Sequence, residues 1–100
     1  MKTNQYVGIT KDKNNGLTTV GKIIRDAWVF GLLPETETCE GWSYGQIEQL
    51  YDRVSKAWEP YGQLVSNLTP ELRERHARIY DAAVKGAREQ GWNPELDDEQ

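Results

Sequence analysis

The chain has 100 residues, 37% of them apolar, with one cysteine and a formal net charge of −4. That length fits one domain, which buries roughly 60–70% of its extended surface and leaves no room for a deep cofactor cleft beside its core. A lone cysteine excludes an internal disulfide, and the acidic balance argues against a nucleic-acid partner.

Charge is unevenly placed. Residues 1–33 carry five Lys/Arg and two Asp, residues 34–69 carry six acids and two bases, and the last ten residues carry four acids and no base. Four Trp and five Tyr stand against one Phe. Apolar surface is thus concentrated in rings with a polar edge, suited to small cores and to recognition. The polar start MKTNQYVGITKDKNNG has no apolar core of a signal peptide, which predicts a soluble, cytoplasmic protein.

Residues 1–16 read as an irregular arm. Tyr6, Val7 and Ile9 could pair as a short strand, but no partner strand is evident, and Asn14-Asn15-Gly16 suits a turn with positive φ. The stretch from Thr18 to Leu33 is the organising element. Val20, Ile23, Ile24 and Ala27 recur at helical spacing, Lys22, Arg25 and Asp26 share the opposite face, and 27–33 is apolar all round. A helix apolar on every side is covered on every side, and this run is far short of the ~20 residues of a membrane span. Thr18 or Thr19 caps its start, and Leu33-Pro34 is expected to end it. Gly21 and Gly31 should admit a close neighbour.

An acidic loop, PETETCEGW, fills 34–42. Ser43 and Gln46 then form a capping box, from which Ile47, Leu50, Val54, Ala57, Tyr61, Leu64 and Leu68 hold helical phase through Pro60. The unbroken phase predicts a bend at Pro60, either in one long element or between two nearly coaxial helices. Its heptad-like rhythm also makes a homodimer a candidate assembly. Thr69-Pro70-Glu71 starts a third helix running to about Gln90, with Leu72, His76, Ile79, Ala83, Val84 and Ala87 inward. Glu71–Arg75, Glu74–Arg78 and Asp81–Lys85 are spaced to pair. Gly91 stops the helix, Trp92 is placed to fold back on it, and 93–100 is expected to be a flexible acidic tail. The fold class is therefore all-α: one domain over 1–100, a small bundle of three helices, or four if the second splits at Pro60.

Enzymatic chemistry is poorly supplied. Cys39 and His76 could form a nucleophile pair, but Glu37 and Glu40 flank Cys39 and no Lys or Arg lies within ten residues of it, so its thiol pKa should rise. One Cys and one His cannot build a structural zinc site. Glu35, Glu37 and Glu40 lack the spacing of a calcium loop, and no glycine-rich phosphate loop occurs. No metal and no cofactor is expected. Arg73, Arg75, Arg78, Lys85 and Arg88 line the third helix, but its acids nearly cancel them, as on a solvated face.

Trp42 is the ring least committed to any stripe. It is either a staple onto Ile47 or an exposed anchor ringed by acids. The sequence therefore points to a non-catalytic interaction or regulatory module that binds another protein through Glu37, Cys39, Glu40 and Trp42, with no nucleic acid and no membrane as partner. The competing reading is a thiol-dependent accessory protein in which Cys39 exchanges sulfur or redox equivalents.

Overall fold

Each helix begins where a side chain can satisfy its first free N–H groups. A computed structural model describes residues 5–91 of the chain, and within them three α-helices form and no strand. Helix α1 (Thr19–Val29) is capped by Thr18, whose Oγ1 accepts from Gly21 N at 3.0 Å. Helix α2 (Tyr44–Trp58) opens on the expected capping box: Gln46 N donates to Ser43 Oγ at 3.1 Å, and Ser43 N donates to Gln46 Oε1 at 2.9 Å. Helix α3 (Pro70–Glu89) is capped by Thr69 and has Pro70 in its first turn. The all-α, three-helix class is as the sequence predicts. Residues 1–4, the Trp92 fold-back and the tail over 93–100 lie outside the described residues.

Helix α1 is the hub, packed against both α2 and α3. Ile24, Ala27 and Val29 have no exposure at all, and burying a side chain of Ile or Val size is worth ~1.5–3 kcal/mol. Tyr6, Ile9, Cys39, Ile47, Leu50 and Trp58 join Ile24 and Ala27 in one core cluster. On α3 the buried positions are Ile79, Ala83 and Ala87, with Leu72, His76 and Val84 half-buried behind them.

Several local expectations change. Helix α1 stops at Val29, before Pro34, because Gly31 takes a left-handed φ of 74°. Gly31 N then donates to Trp28 O at 3.2 Å and Leu32 N to Ala27 O at 2.8 Å, the Schellman pattern that satisfies the last carbonyls. Gly31 admits no neighbour, since nothing lies within 4 Å of where its Cβ would be. Gly21 does, though the neighbour is the backbone of Gly16 and not a helix.

The second helix does not continue through Pro60. Residues Glu59–Tyr61 tighten into a 3-10 turn, and Gly62 and Gln63 are both left-handed, at φ 62° and 65°. Proline has no N–H to carry the α-helical ladder onward, and two left-handed residues then end the helical path. Leu64 and Val65 end up 55% and 40% exposed, although they keep the phase of the stripe. The residues that would have formed a free heptad seam (Ile47, Leu50, Val54 and Leu68) are spent in the chain's own core.

The charged face expected on α1 is not solvated as one face. Arg25 is 6% exposed. Its Nη1 donates to Gly16 O at 2.7 Å and its Nη2 to Asn15 O at 2.8 Å, both on the 3-10 turn Lys13–Gly16. Asp26 accepts from Trp58 Nε1 at 3.1 Å and from Tyr80 Oη at 2.7 Å, so one carboxylate on α1 ties α2 to α3. The helix-surface pairs expected on α3 give way to longer reaches. Arg75 Nη1 donates to Val29 O at 2.9 Å, capping α1, and Arg78 forks onto Glu35 at 3.0 and 2.8 Å.

Candidate functional site

The acidic loop between α1 and α2 is built against the N-terminal arm. Tyr6 N donates to Trp42 O at 2.8 Å, Gly41 N to Tyr6 O at 2.9 Å, and Ile9 N to Thr38 O at 3.0 Å, with an antiparallel bridge from Gln5 to Ser43. The arm therefore does find a partner within the chain. Tyr6 is anchored in turn: its hydroxyl donates to Asp12 Oδ2 at 2.6 Å, the oxygen that also accepts from Thr18 Oγ1 at 2.6 Å. One carboxylate thus joins the arm to the cap of α1.

From below, Trp28 Nε1 donates to Glu37 O at 3.1 Å. The loop folds back on itself as well. Cys39 N donates to the Glu37 carboxylate at 2.9 Å, and Trp42 N donates to Cys39 O at 3.1 Å. These bonds hold Cys39 at a left-handed φ of 63°. For a residue with a Cβ that geometry costs of order 1–3 kcal/mol and persists only where its surroundings enforce it.

The four residues singled out in the sequence thus differ in access. Glu40 is exposed and makes an ion pair with Lys11 at 3.6 Å, both side chains being mostly in solvent; such a pair adds little stability. Glu37 is half-buried, its carboxylate turned toward the loop's own backbone. Trp42 is half-buried and packed against the core cluster that also holds Ile47, consistent with a staple that leaves part of the ring open. Cys39 has no exposure, so its sulfur belongs to the core beneath the loop.

Burial first and the Glu37 charge second push the Cys39 thiol up to about 12. The direction is the one the flanking acids predict, but desolvation is the larger cause. His76 is engaged elsewhere, stacked on Tyr80 with ring centres 4.4 Å apart and set edge-on to Trp58 at 6.4 Å. Among the described residues no three His, Cys, Asp or Glu side chains converge as a metal site would require, and no helix is long and apolar enough to cross a membrane.

Sequence reasoning missed Tyr6, Asp12 and Lys11 as the loop's supports. Their one local signal is the pair Tyr6 and Ile9, large apolar residues in a polar arm that belong to no helix. No protein-family model, curated protein or solved structure matches the chain.

Proposed function

We propose that this chain is a non-catalytic, cytoplasmic interaction module that binds another protein through the loop from Glu37 to Trp42. Glu40, the open part of Trp42 and the outer edge of Glu37 meet the partner, and Cys39 anchors the loop from beneath. One observation supports this reading above others. The loop is fixed in a costly conformation, with Cys39 left-handed, by hydrogen bonds to the arm, to Trp28 and to itself. Stored backbone strain of this kind gathers at functional segments, and a fixed loop presents its side chains with little ordering cost on binding. Its acids fit a partner with a basic patch, and charge complementarity of that kind steers association.

The test is affinity capture from the native cell, read by quantitative mass spectrometry, with Glu40→Lys as the variant. Glu40 is exposed and carries only a solvent-screened pair, so the substitution should leave the unfolding free energy within ~0.5 kcal/mol of the parent. Loss of a captured basic protein at unchanged stability is the expected result; undiminished capture refutes the reading. The thiol-exchange alternative is read separately, from alkylation rate against pH. With the thiol pushed up to about 12, labelling of the native state should stay slow through neutral pH. Fast labelling with a midpoint below the free-cysteine value of ~8.5 would favour the thiol function instead.

A further inference from the structure

Between α1 and α3 lies a cleft of about 210 Å³. Arg25 and Trp28 line it from α1, and Arg78, Ile79, Ala82 and Ala83 line it from α3, with Glu35 beside Arg78. We propose that this cleft binds a small aromatic monocarboxylate, a single flat ring bearing one carboxylate, held by Arg78 and Arg25 with its ring against Trp28.

Three features carry the assignment. The first is a buried donor left unmet. Among the described residues, Arg25 Nε is the one buried side-chain nitrogen or oxygen without a hydrogen-bond partner, and the residue as a whole is 6% exposed. Leaving such an N–H unpaired is costly, more so on a charged group. Arg25 spends one N–H of Nη1 and one of Nη2 on carbonyls of the preceding turn, so its guanidinium keeps donor capacity and positive charge at the wall of the cleft.

The second feature is the occupancy of Arg78. The chain's own Glu35 carboxylate sits on its fork at 3.0 and 2.8 Å, the bidentate geometry by which guanidinium groups recognise carboxylates. Glu35 thus stands where a ligand carboxylate would, and competes with it. Two guanidinium groups and one carboxylate leave a single positive charge, which matches a monoanion better than a phosphate dianion.

The third is the apolar lining. The Trp28 indole N–H is taken by Glu37 O, which leaves its ring to the cleft, and the Arg25 guanidinium lies 5.8 Å from the ring centre. Ile79, Ala82 and Ala83 face it with little bulk. An apolar cavity of ~150 Å³ accommodates benzene, so the space here suits one ring with a carboxylate and not a nucleotide.

The test is a titration of the full chain with sodium benzoate at constant ionic strength, following the Trp28 indole N–H and the Ile79 methyl groups by NMR. Saturable shifts with a Kd of order a millimolar are expected. Glu35→Gln should tighten binding several-fold by freeing Arg78, whereas Glu48→Gln, the same charge change on α2, should not. Arg78→Gln should weaken it about tenfold, and Ala82→Leu, which fills the cleft from an exposed helical position, should abolish it. Shifts that rise linearly and match those with chloride overturn the proposal, as does equal binding by the Ala82→Leu variant or an equal effect of Glu35→Gln and Glu48→Gln. Benzyl alcohol binding as tightly as benzoate removes the carboxylate from the assignment, and inorganic phosphate doing so removes the ring.

Discussion

Replacing Asp26 by Asn tests whether one carboxylate joins the three helices. The two side chains have nearly the same shape, so packing around α1 is preserved. What changes is acceptor capacity. The carboxylate accepts from Trp58 Nε1 at 3.1 Å and from Tyr80 Oη at 2.7 Å, one oxygen to each. The amide has one acceptor oxygen, and its NH2 must face the other donor. One bond to a charged acceptor, worth ~1.5–3 kcal/mol, is lost. Tyr80 retains Lys22 O at 3.0 Å as a second acceptor, which moderates the penalty on that side. The net cost of Asp26→Asn should therefore be ~1.5–2.5 kcal/mol, a fall in Tm of roughly 6–20 °C for a domain of this size.

The assay is urea unfolding of four proteins: parent, Asp26→Asn, Tyr80→Phe and the double variant. The slope m should be constant, so that the midpoint alone carries the change. Tyr80→Phe removes a donor without stranding the carboxylate and should cost ~1 kcal/mol. In the double variant the Asn oxygen is free to serve Trp58, so the two losses should fall short of adding by ~1 kcal/mol. A loss below ~0.5 kcal/mol for Asp26→Asn, or strict additivity in the cycle, would refute the bridging role.

Gly21→Ala should destabilise the protein by ~2 kcal/mol or more in the same assay, against the ~1 kcal/mol gain that helix propensity alone predicts. The reason is steric: a Cβ there would overlap the Gly16 carbonyl and lie 2.7 Å from its carbon, and backbone cannot move aside as a side-chain end can. The arm should release in acid. Desolvation raises the Asp12 carboxyl, but hydrogen bonds from Thr18 and Tyr6 and from the Lys13 N–H outweigh it and hold the group below its ordinary range. A depressed folded-state pKa contributes stability present above the unfolded value of ~3.9 and lost as pH falls through the folded one. Amide exchange at Tyr6, Ile9 and Gly41 should therefore accelerate only below about pH 4, and Asp12→Asn should accelerate it at neutral pH.

What the sequence revealed was local. The caps at Thr18, Ser43 and Thr69 each depend on residues within one helical turn, and all three are found where expected. The stretch past Pro60 misleads because periodicity records only which residues are apolar. It is blind to the left-handed turn at Gly62 and Gln63 that sends Leu64 and Val65 to solvent. Arg25 is hidden for a different reason. Its acceptors are backbone carbonyls of a turn nine and ten residues earlier, and carbonyls carry no side-chain signature. At the candidate site the flanking acids gave the sign of the Cys39 shift, but its larger cause, burial, comes from the arm and core folding over the sulfur.

Trp28 is where the two proposed surfaces meet. Its N–H holds the carbonyl of Glu37, at the base of the acidic loop, while its ring lines the cleft between α1 and α3. Glu35, two residues before Glu37 in the same connection, closes the other side by clamping Arg78. If both proposed surfaces bind as argued, a carboxylate that takes Arg78 from Glu35 would loosen the segment that positions Glu37, and binding at either surface would then alter the free energy of the other by the same amount. The sign follows from the geometry. Releasing Glu35 removes one of the tethers on the N-terminal limb of the loop, beside those from Trp28 and Ile9, so cleft occupancy would oppose partner binding at the loop, and Glu35→Gln should mimic that effect with no ligand present. Faster amide exchange at Glu37 and Ile9, whose N–H groups are bonded to Pro34 O and Thr38 O, in Glu35→Gln, with α2 unchanged, is the expected signature. An unchanged loop in that variant would mean that the remaining bonds, from Trp28 and Ile9, fix this segment without Glu35, and the two surfaces would then be independent.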